Sequence, residues 1–196
     1  MATMPQQAAN QQDPGALSGR LPQNDLRLWK MREGTQIVIR PICPEDEPLM
    51  VKFHAGLSDR TVYLRYFCSL SLAARTAHER LVRICFADPE RETVLVATHT
   101  DKSPGEQNIV AVGRLNKLLP KNEAEVAILV SDEYQGRGLG GELLRRLVQV
   151  AHAQKLDRIF AEMLRDNTTM QALLKKAGFR LRLFDDPRSV RAVLQL

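Results

Sequence analysis

Residues 134–144, YQGRGLGGELL, set four glycines and Arg137 directly ahead of a helical pattern. That order of residues could bind an anion. The first N–H groups of a helix have no intrahelical partners and point the same way, and the helix dipole adds to their pull. Glycine lets a phosphate approach the backbone with no Cβ in between, and an arginine adds a charge-assisted hydrogen bond. The same residues also suit an ordinary turn in which glycine supplies unusual dihedrals, and both readings stand at this level. The stretch lacks the G-K-[ST] ending of a Walker loop, which excludes that phosphate loop. Gly136, Gly138 and Gly141 do fall on the G-x-G-x-x-G spacing of a dinucleotide fold, a pattern that specifies little on its own, and Gly140 lies between them.

The elements that must position this loop alternate between α and β. QIVIRPI reads as a strand stopping at Pro41, and PEDEPLMVKFHAGL as a helix with Leu49, Met50, Phe53 and Leu57 on one face. A further helical region covers 58–85. TVLVATH, NIVAVGRLNKL and EAEVAILVS read as strands, the last leading into the glycine stretch. A helix is expected over 138–154, with Leu139, Leu143, Leu144, Leu147, Val150 and Ala151 facing the core. RIFAEML follows as a strand, then a helix opened by a capping box of Thr168 and Gln171 and ended by Gly178, and SVRAVLQL as a last strand.

Composition bounds the answer. With 44% hydrophobic and 26% charged residues, the 196-residue chain matches a globular protein with room for one core. Residues 1–24 are rich in Gln, Ala, Pro and Asn and are expected to form a disordered tail. We take the flexible segment to residue 35, with Trp29 and Lys30 able to dock locally, and expect one domain over 36–196. The net charge of +5 is spread along the chain, without the clustering of a nucleic-acid or membrane-binding patch. Cys43, Cys68 and Cys85 are odd in number and far apart, which suits a reducing cytoplasm rather than a disulfide framework. The four histidines show no metal spacing. No segment approaches the length of a membrane span, and no signal peptide is expected.

Gln135, Gly138 and Gly140 fit the pattern Q-x-x-G-x-G, which resembles the acetyl-coenzyme A signature of the GNAT acyltransferases. EAEVAILVSDEYQGRGLG is similar to that family's central strand and pyrophosphate loop. MLRDNTTMQALLKKAGF is similar to its next strand, Asn-containing loop and G-F-terminated helix. The resemblance covers about residues 36–196. Within the family, IRPICPEDEPLM…FHAGLSDRTVYLRYF and FADPERETVLVA most resemble the lysine-acetylating branch. The resemblance implies an α/β (α+β) GNAT fold: a twisted, mostly antiparallel sheet flanked by helices, with central strands near 125–130 and 158–163 splayed to admit acyl-CoA.

The resemblance also implies roles. Acetyl-CoA would be held by Leu129, Val130, Gln135, Gly136, Arg137, Gly138, Leu139, Gly140, Gly141 and Asn167, with no metal. A backbone N–H near Leu129 or Val130 would polarise the acetyl carbonyl. Asn167 equally suits a residue that opens a helix. Amine acetylation needs a proton acceptor, because a lysine amine with a pKa of ~10.4 arrives protonated. Glu125 matches the position of the base in the lysine-acetylating branch, although alone it reads as readily as a solvated strand-edge residue. Strand alternation puts Glu125, Ala127 and Leu129 on one face, with Glu123 on the same face as the fallback base. The tyrosine that many GNAT enzymes carry on the last helix is replaced here by Leu174. A thiol of pKa ~8.5 leaves tolerably unaided.

The expected function is direct acetyl transfer from acetyl-CoA to an amine, with protein lysine side chains as acceptor, in the cytoplasm. The alternatives are a small-molecule amine acetyltransferase and a catalytically inactive acyl-CoA-binding sensor. No nucleic-acid or membrane partner is expected. HAGLSDRTVYLRYFCSLS would form one wall of the acceptor site with Arg60, Tyr63, Arg65 and Tyr66. Acidic residues for that wall could come from Glu45, Asp46 and Glu47.

Overall fold

Three long runs of apolar residues with β-forming side chains lie at the centre of the molecule. They form β3 (Glu92–Thr100), β4 (Gln107–Leu118) and β5 (Glu123–Val130), paired antiparallel. This computed structural model describes residues 28–100, 107–183 and 186–196. β1 (Leu28–Lys30) and β2 (Gln36–Pro41) extend the sheet on one side; β6 (Arg158–Leu164), β8 (Ser189–Gln195) and β7 (Arg180–Leu183) extend it on the other. The order is β1-β2-β3-β4-β5-β6-β8-β7. Every pairing is antiparallel except β5 with β6, which is parallel and lasts for three residue pairs, Glu123–Arg158, Ala124–Ile159 and Glu125–Phe160. Beyond Glu125 the two strands part.

Helices cover both faces. α5 (Leu139–Ala153) makes the crossover from β5 to β6 that parallel strands require. It buries Leu139, Leu143, Leu144, Leu147 and Val150 in one core with Leu115, Ala124 and Val126. A Cβ on Gly113 of β4 would meet the Leu147 side chain at 3.0 Å, so glycine there lets α5 settle onto the strand. On the other face lie α1 (Glu47–Ala55), α2 (Asp59–Tyr66), α3 (Leu72–Arg75) and α4 (His78–Cys85). Met50, Phe53, Val62, Leu81 and Ile84 from these helices share a second core with Val94, Val96, Val112 and Leu129. α1 is tied to the end of β2 by Asp46, 2% exposed, which accepts two hydrogen bonds of 2.6 Å from Arg40 and one of 2.9 Å from the Cys43 N–H. Burial pushes the Asp46 carboxyl up, but these bonds outweigh it and leave its pKa below the ordinary value.

The expected strands β2–β6 and β8 are present, as is the helix at 139–153. Residues 1–27 of the expected flexible segment lie outside the described residues; in the remainder of it, Leu28–Lys30 pair with β2, and Met31 is only 2% exposed in the main core. Three residues are too few to carry a period, so this strand left no signal. β7 was also unexpected, and the region 58–85 divides into three helices. α6 (Thr168–Lys176) is capped by Asn167, whose side-chain oxygen accepts from the Met170 N–H at 3.1 Å, and not by the expected Thr168–Gln171 box. Its C-terminus closes as expected on Gly178, at φ +91, with Phe179 N–H bonding Leu174 C=O and Gly178 N–H bonding Lys175 C=O, both at 3.0 Å. Among the described residues no helix is long and apolar enough to cross a membrane.

His54 is the exceptional member of the second core. It is 1% exposed, packs edge-on against Phe53, and its Nδ1 has no hydrogen-bond partner. Burial, with Arg80, Arg75 and Arg65 nearby, lowers its pKa from 6.5 to about 4. The unfolded chain therefore takes up a proton near pH 6.5 that the folded chain refuses until about pH 4. Stability should fall across that window by roughly 3 kcal/mol from this group. Denaturant melts at several pH values check it: His54→Phe should flatten the decline between pH 6.5 and 4, and an unchanged slope refutes the assignment.

Candidate active site

The parting of β5 and β6 opens a cleft of about 600 Å³, lined by Glu125 to Val130 of β5, by Glu162 and Met163 of β6, by α2, by the glycine loop and by the start of α6. β5 runs against β4 in unbroken register, with Ser131 N–H donating to Val110 on the β4 side and Asn122 C=O accepting from Asp157 N–H on the β6 side. Regular alternation then directs the backbone groups of even-numbered residues toward β6. Once β6 has diverged, the N–H groups of Ile128 and Val130 face the cleft. Leu129 pairs toward β4, so of the two expected polarising N–H groups only that of Val130 faces the cleft.

The glycine loop continues from β5 through a short 3-10 turn, Asp132–Tyr134. Gly136 and Gly138 take φ of +71 and +92, conformations open to glycine at no steric cost. Gly138 caps α5 without any side-chain hydrogen bond, so no side chain claims the first N–H groups of the helix. Gly136, Gly138, Gly140 and Gly141 all line the cleft. Leu139 turns its side chain into the core and has only its backbone to offer. Arg137 is not among the lining residues: it extends outward to Glu33 at 3.4 Å and lies 5.7 Å from the Tyr134 ring. Trp29 covers the loop from β1, 3.8 Å from where a Cβ on Gly138 would stand.

Gln135 lines the cleft, but its amide is engaged, donating at 3.0 Å to both Val130 C=O and the Thr61 hydroxyl. Thr61 donates in turn to Asp132 at 2.8 Å, and Ser58 gives Asp132 its N–H at 3.0 Å and its hydroxyl at 2.6 Å. Burial raises the Asp132 pKa, but the Ser58 and Thr61 bonds prevail and hold it below the ordinary value. This network fastens the start of α2 to the start of the glycine loop. Its partners are 71 and 74 residues apart, so no local pattern announces them.

Glu123 and Glu125 share a face, as alternation requires, but their surroundings differ. Glu123 is 7% exposed at the closed end of the cleft, ion-paired with Arg158 and 3.9 Å from Lys121. Glu125 stands where the strands begin to part and lines the cleft. Opposite it, Glu162 also lines the cleft and is paired with Arg191, which lies 4.5 Å from the Phe160 ring. Glu162 was not anticipated; a charge in the otherwise apolar strand IFAEML was the available signal.

α2 supplies Arg60, Thr61, Leu64, Arg65 and Tyr66 to the opposite wall, and Phe67, at φ +61, closes that helix beside the cleft. Tyr63 is absent from the lining. Asp46 and Glu47 are held by Arg40 and His78 and do not line the cleft, and neither does Glu45. Asn167 lines it while capping α6, and Leu174 is fully buried. Tyr134 forms part of the rim with its hydroxyl 2.9 Å from His99 Nδ1.

A splayed parallel pair, an uncapped glycine-rich helix start and a carboxylate between them are the parts that a thioester-using acyltransferase requires. The sequence profile of the Acetyltransferase (GNAT) domain matches residues 36–180, and the chain belongs to that family. It is 27% identical over 157 residues to "Acetyltransferase PA5475" of Pseudomonas aeruginosa, covering 80% of this chain and 82% of that protein. It is 30% identical over 150 residues to "Acetyltransferase Pat" of Mycolicibacterium smegmatis, covering 76% of this chain but only 43% of Pat. The solved GNAT domain of S. lividans PAT superposes with a TM-score of 0.78 at 27% identity, covering 90% of this chain and all of that one. The protein is an acetyl-CoA-dependent N-acetyltransferase with the GNAT fold.

The loop geometry fits a pyrophosphate: four glycines border the cleft and no side chain caps the helix. Gly138→Asp puts a side chain and a negative charge at that point. It should weaken CoA binding by at least ~10-fold, measured by calorimetry, while circular dichroism remains native. Unchanged affinity in the folded variant removes the loop from the phosphate site.

Proposed function

We propose that the protein transfers the acetyl group directly to a lysine side chain of a protein or peptide, in the cytoplasm, with Glu125 as general base. The observation that carries this reading is the position of Glu125, a carboxylate on the cleft wall at the point where β5 and β6 separate. Acetyl-CoA supplies the thioester. Four glycines and the uncapped start of α5 hold its pyrophosphate, and the Ile128 edge pairs with its amide-bearing arm. Glu125 accepts a proton from the incoming ammonium, directly or through one water, which frees the nitrogen lone pair. As the N–C bond forms, Val130 N–H stabilises the developing oxyanion. The C–S bond then breaks and the thiolate leaves with the electron pair; the attacking nitrogen gives up its second proton to water, and the thiolate takes one proton from water. Leu174 is buried and donates nothing.

Direct transfer is supported because, among the described residues, neither cysteine nor serine lines the cleft. The lysine acceptor is supported by the length of the open α2 wall, which suits a chain better than an enclosed small amine, and by the resemblance of IRPICPEDEPLM and FADPERETVLVA to the lysine-acetylating branch. The three free cysteines suit a reducing compartment.

Glu125→Gln keeps the shape of the side chain and removes its basicity. With a lysine peptide as acceptor, kcat should fall ~10²–10⁴-fold while acetyl-CoA affinity is retained. If Glu125→Gln keeps most of its activity and Glu123→Gln or Glu162→Gln does not, the base is misassigned. A higher kcat/KM for spermidine than for every lysine peptide overturns the acceptor.

A further inference from the structure

Charge is distributed unevenly around the acceptor side of the cleft. Positions 60, 61, 64 and 65 fall on one face of α2 and all line it, which brings two guanidiniums to the same wall. Behind them Tyr66 is contacted twice, by Arg65 at 5.1 Å and by Arg80 of α4 at 4.7 Å. Among the described residues, no carboxylate forms an ion pair with Arg60, Arg65 or Arg80.

The nearby acids are already engaged. Asp132 is saturated by Ser58 and Thr61, Glu162 by Arg191, and Glu92 by Arg114; exposed Asp59 lies 3.8 Å from Arg75. Glu125, the remaining acid on this wall, is assigned to the reaction. Burial lowers the pKa of Arg65, and Arg114 and Arg80 add to that while Glu125 opposes it. The wall is a partly desolvated cationic surface with too few anions of its own.

We propose that the acceptor lysine is presented by an acidic segment, whose flanking carboxylates ion-pair with Arg60 and Arg65 while the amine reaches Glu125. The inference rests on the lysine reading above and narrows it. Its physical basis is charge complementarity. Each partly exposed pair contributes modestly to affinity, the summed field speeds encounter, and like charge beside the lysine repels. A basic-flanked lysine meets Arg60 and Arg65 head on.

Three blocked peptides test it, identical except that the residues flanking a central lysine are Glu, Gln or Arg. With the full chain and saturating acetyl-CoA, kcat/KM should follow Glu > Gln > Arg. Each step should be ~3–10-fold and should shrink as salt rises from about 0.05 to 0.5 M. Arg60→Gln, an exposed substitution compatible with folding, should reduce the Glu-over-Gln preference through KM, and Arg60→Glu should reverse it. Equal kcat/KM for the three peptides overturns the inference and leaves lysine acetylation standing. So does a preference that survives in both Arg60→Gln and Arg65→Gln. Turnover of a free amine with none of the peptides acetylated overturns the lysine reading, and this inference with it.

Discussion

A β-strand has two hydrogen-bonding edges, and β5 uses one of them for only three residue pairs. Everything at the candidate site depends on that interruption. An unpaired backbone group removed from water costs about 1–3 kcal/mol, so the edge needs another partner. Val130 C=O finds one in the Gln135 side chain. The neighbouring N–H groups of Ile128 and Val130 are left to whatever occupies the cleft. The gap is stabilised from outside. α5 begins at its open end, and Asp132, Thr61 and Gln135 brace the opposite wall against the loop. An acyl donor that lays amides along β5 restores the hydrogen bonds withheld by β6, so the vacancy in the sheet itself favours an extended, amide-bearing ligand.

The apex of this gap separates two glutamates that the sequence makes equivalent. Glu123 and Glu125 share parity, strand and chemistry. One lies inside the paired segment, where Arg158 and Lys121 neutralise it, and the other lies at its end. A register shift of two residues would exchange them. The proposed base is thus selected less by residue type than by where the β5–β6 ladder stops.

Much of this was legible in the chain, for reasons that differ by element. β3, β4 and β5 are long apolar runs, α5 carries a broad leucine stripe, and Gly178 stands where only a left-handed residue ends the helix; each signal is local and repeated. The glycine loop was legible because its chemistry is backbone chemistry, written in glycine spacing. What remained hidden depends on distance. β1 is defined by its pairing with β2, and the Asp132–Thr61 contact joins residues 71 apart. Asn167 stood between two readings, and the structure places it as a cap on the cleft rim. Gln135 belongs to the motif, yet its side chain supports the loop from within. A motif in the sequence does not by itself say which of its members face the cleft.

β1 has a consequence of another kind. Trp29 is the single tryptophan of the chain, and its indole lies 3.8 Å from the Cβ position of Gly138, at the first turn of α5. The molecule's near-ultraviolet emission therefore comes almost entirely from one ring seated on the glycine loop. If that loop holds the donor's pyrophosphate as proposed, a polyanion arriving beneath the ring changes the local field and polarity, and occupancy of the donor site can be followed in the intrinsic fluorescence with no label and no turnover.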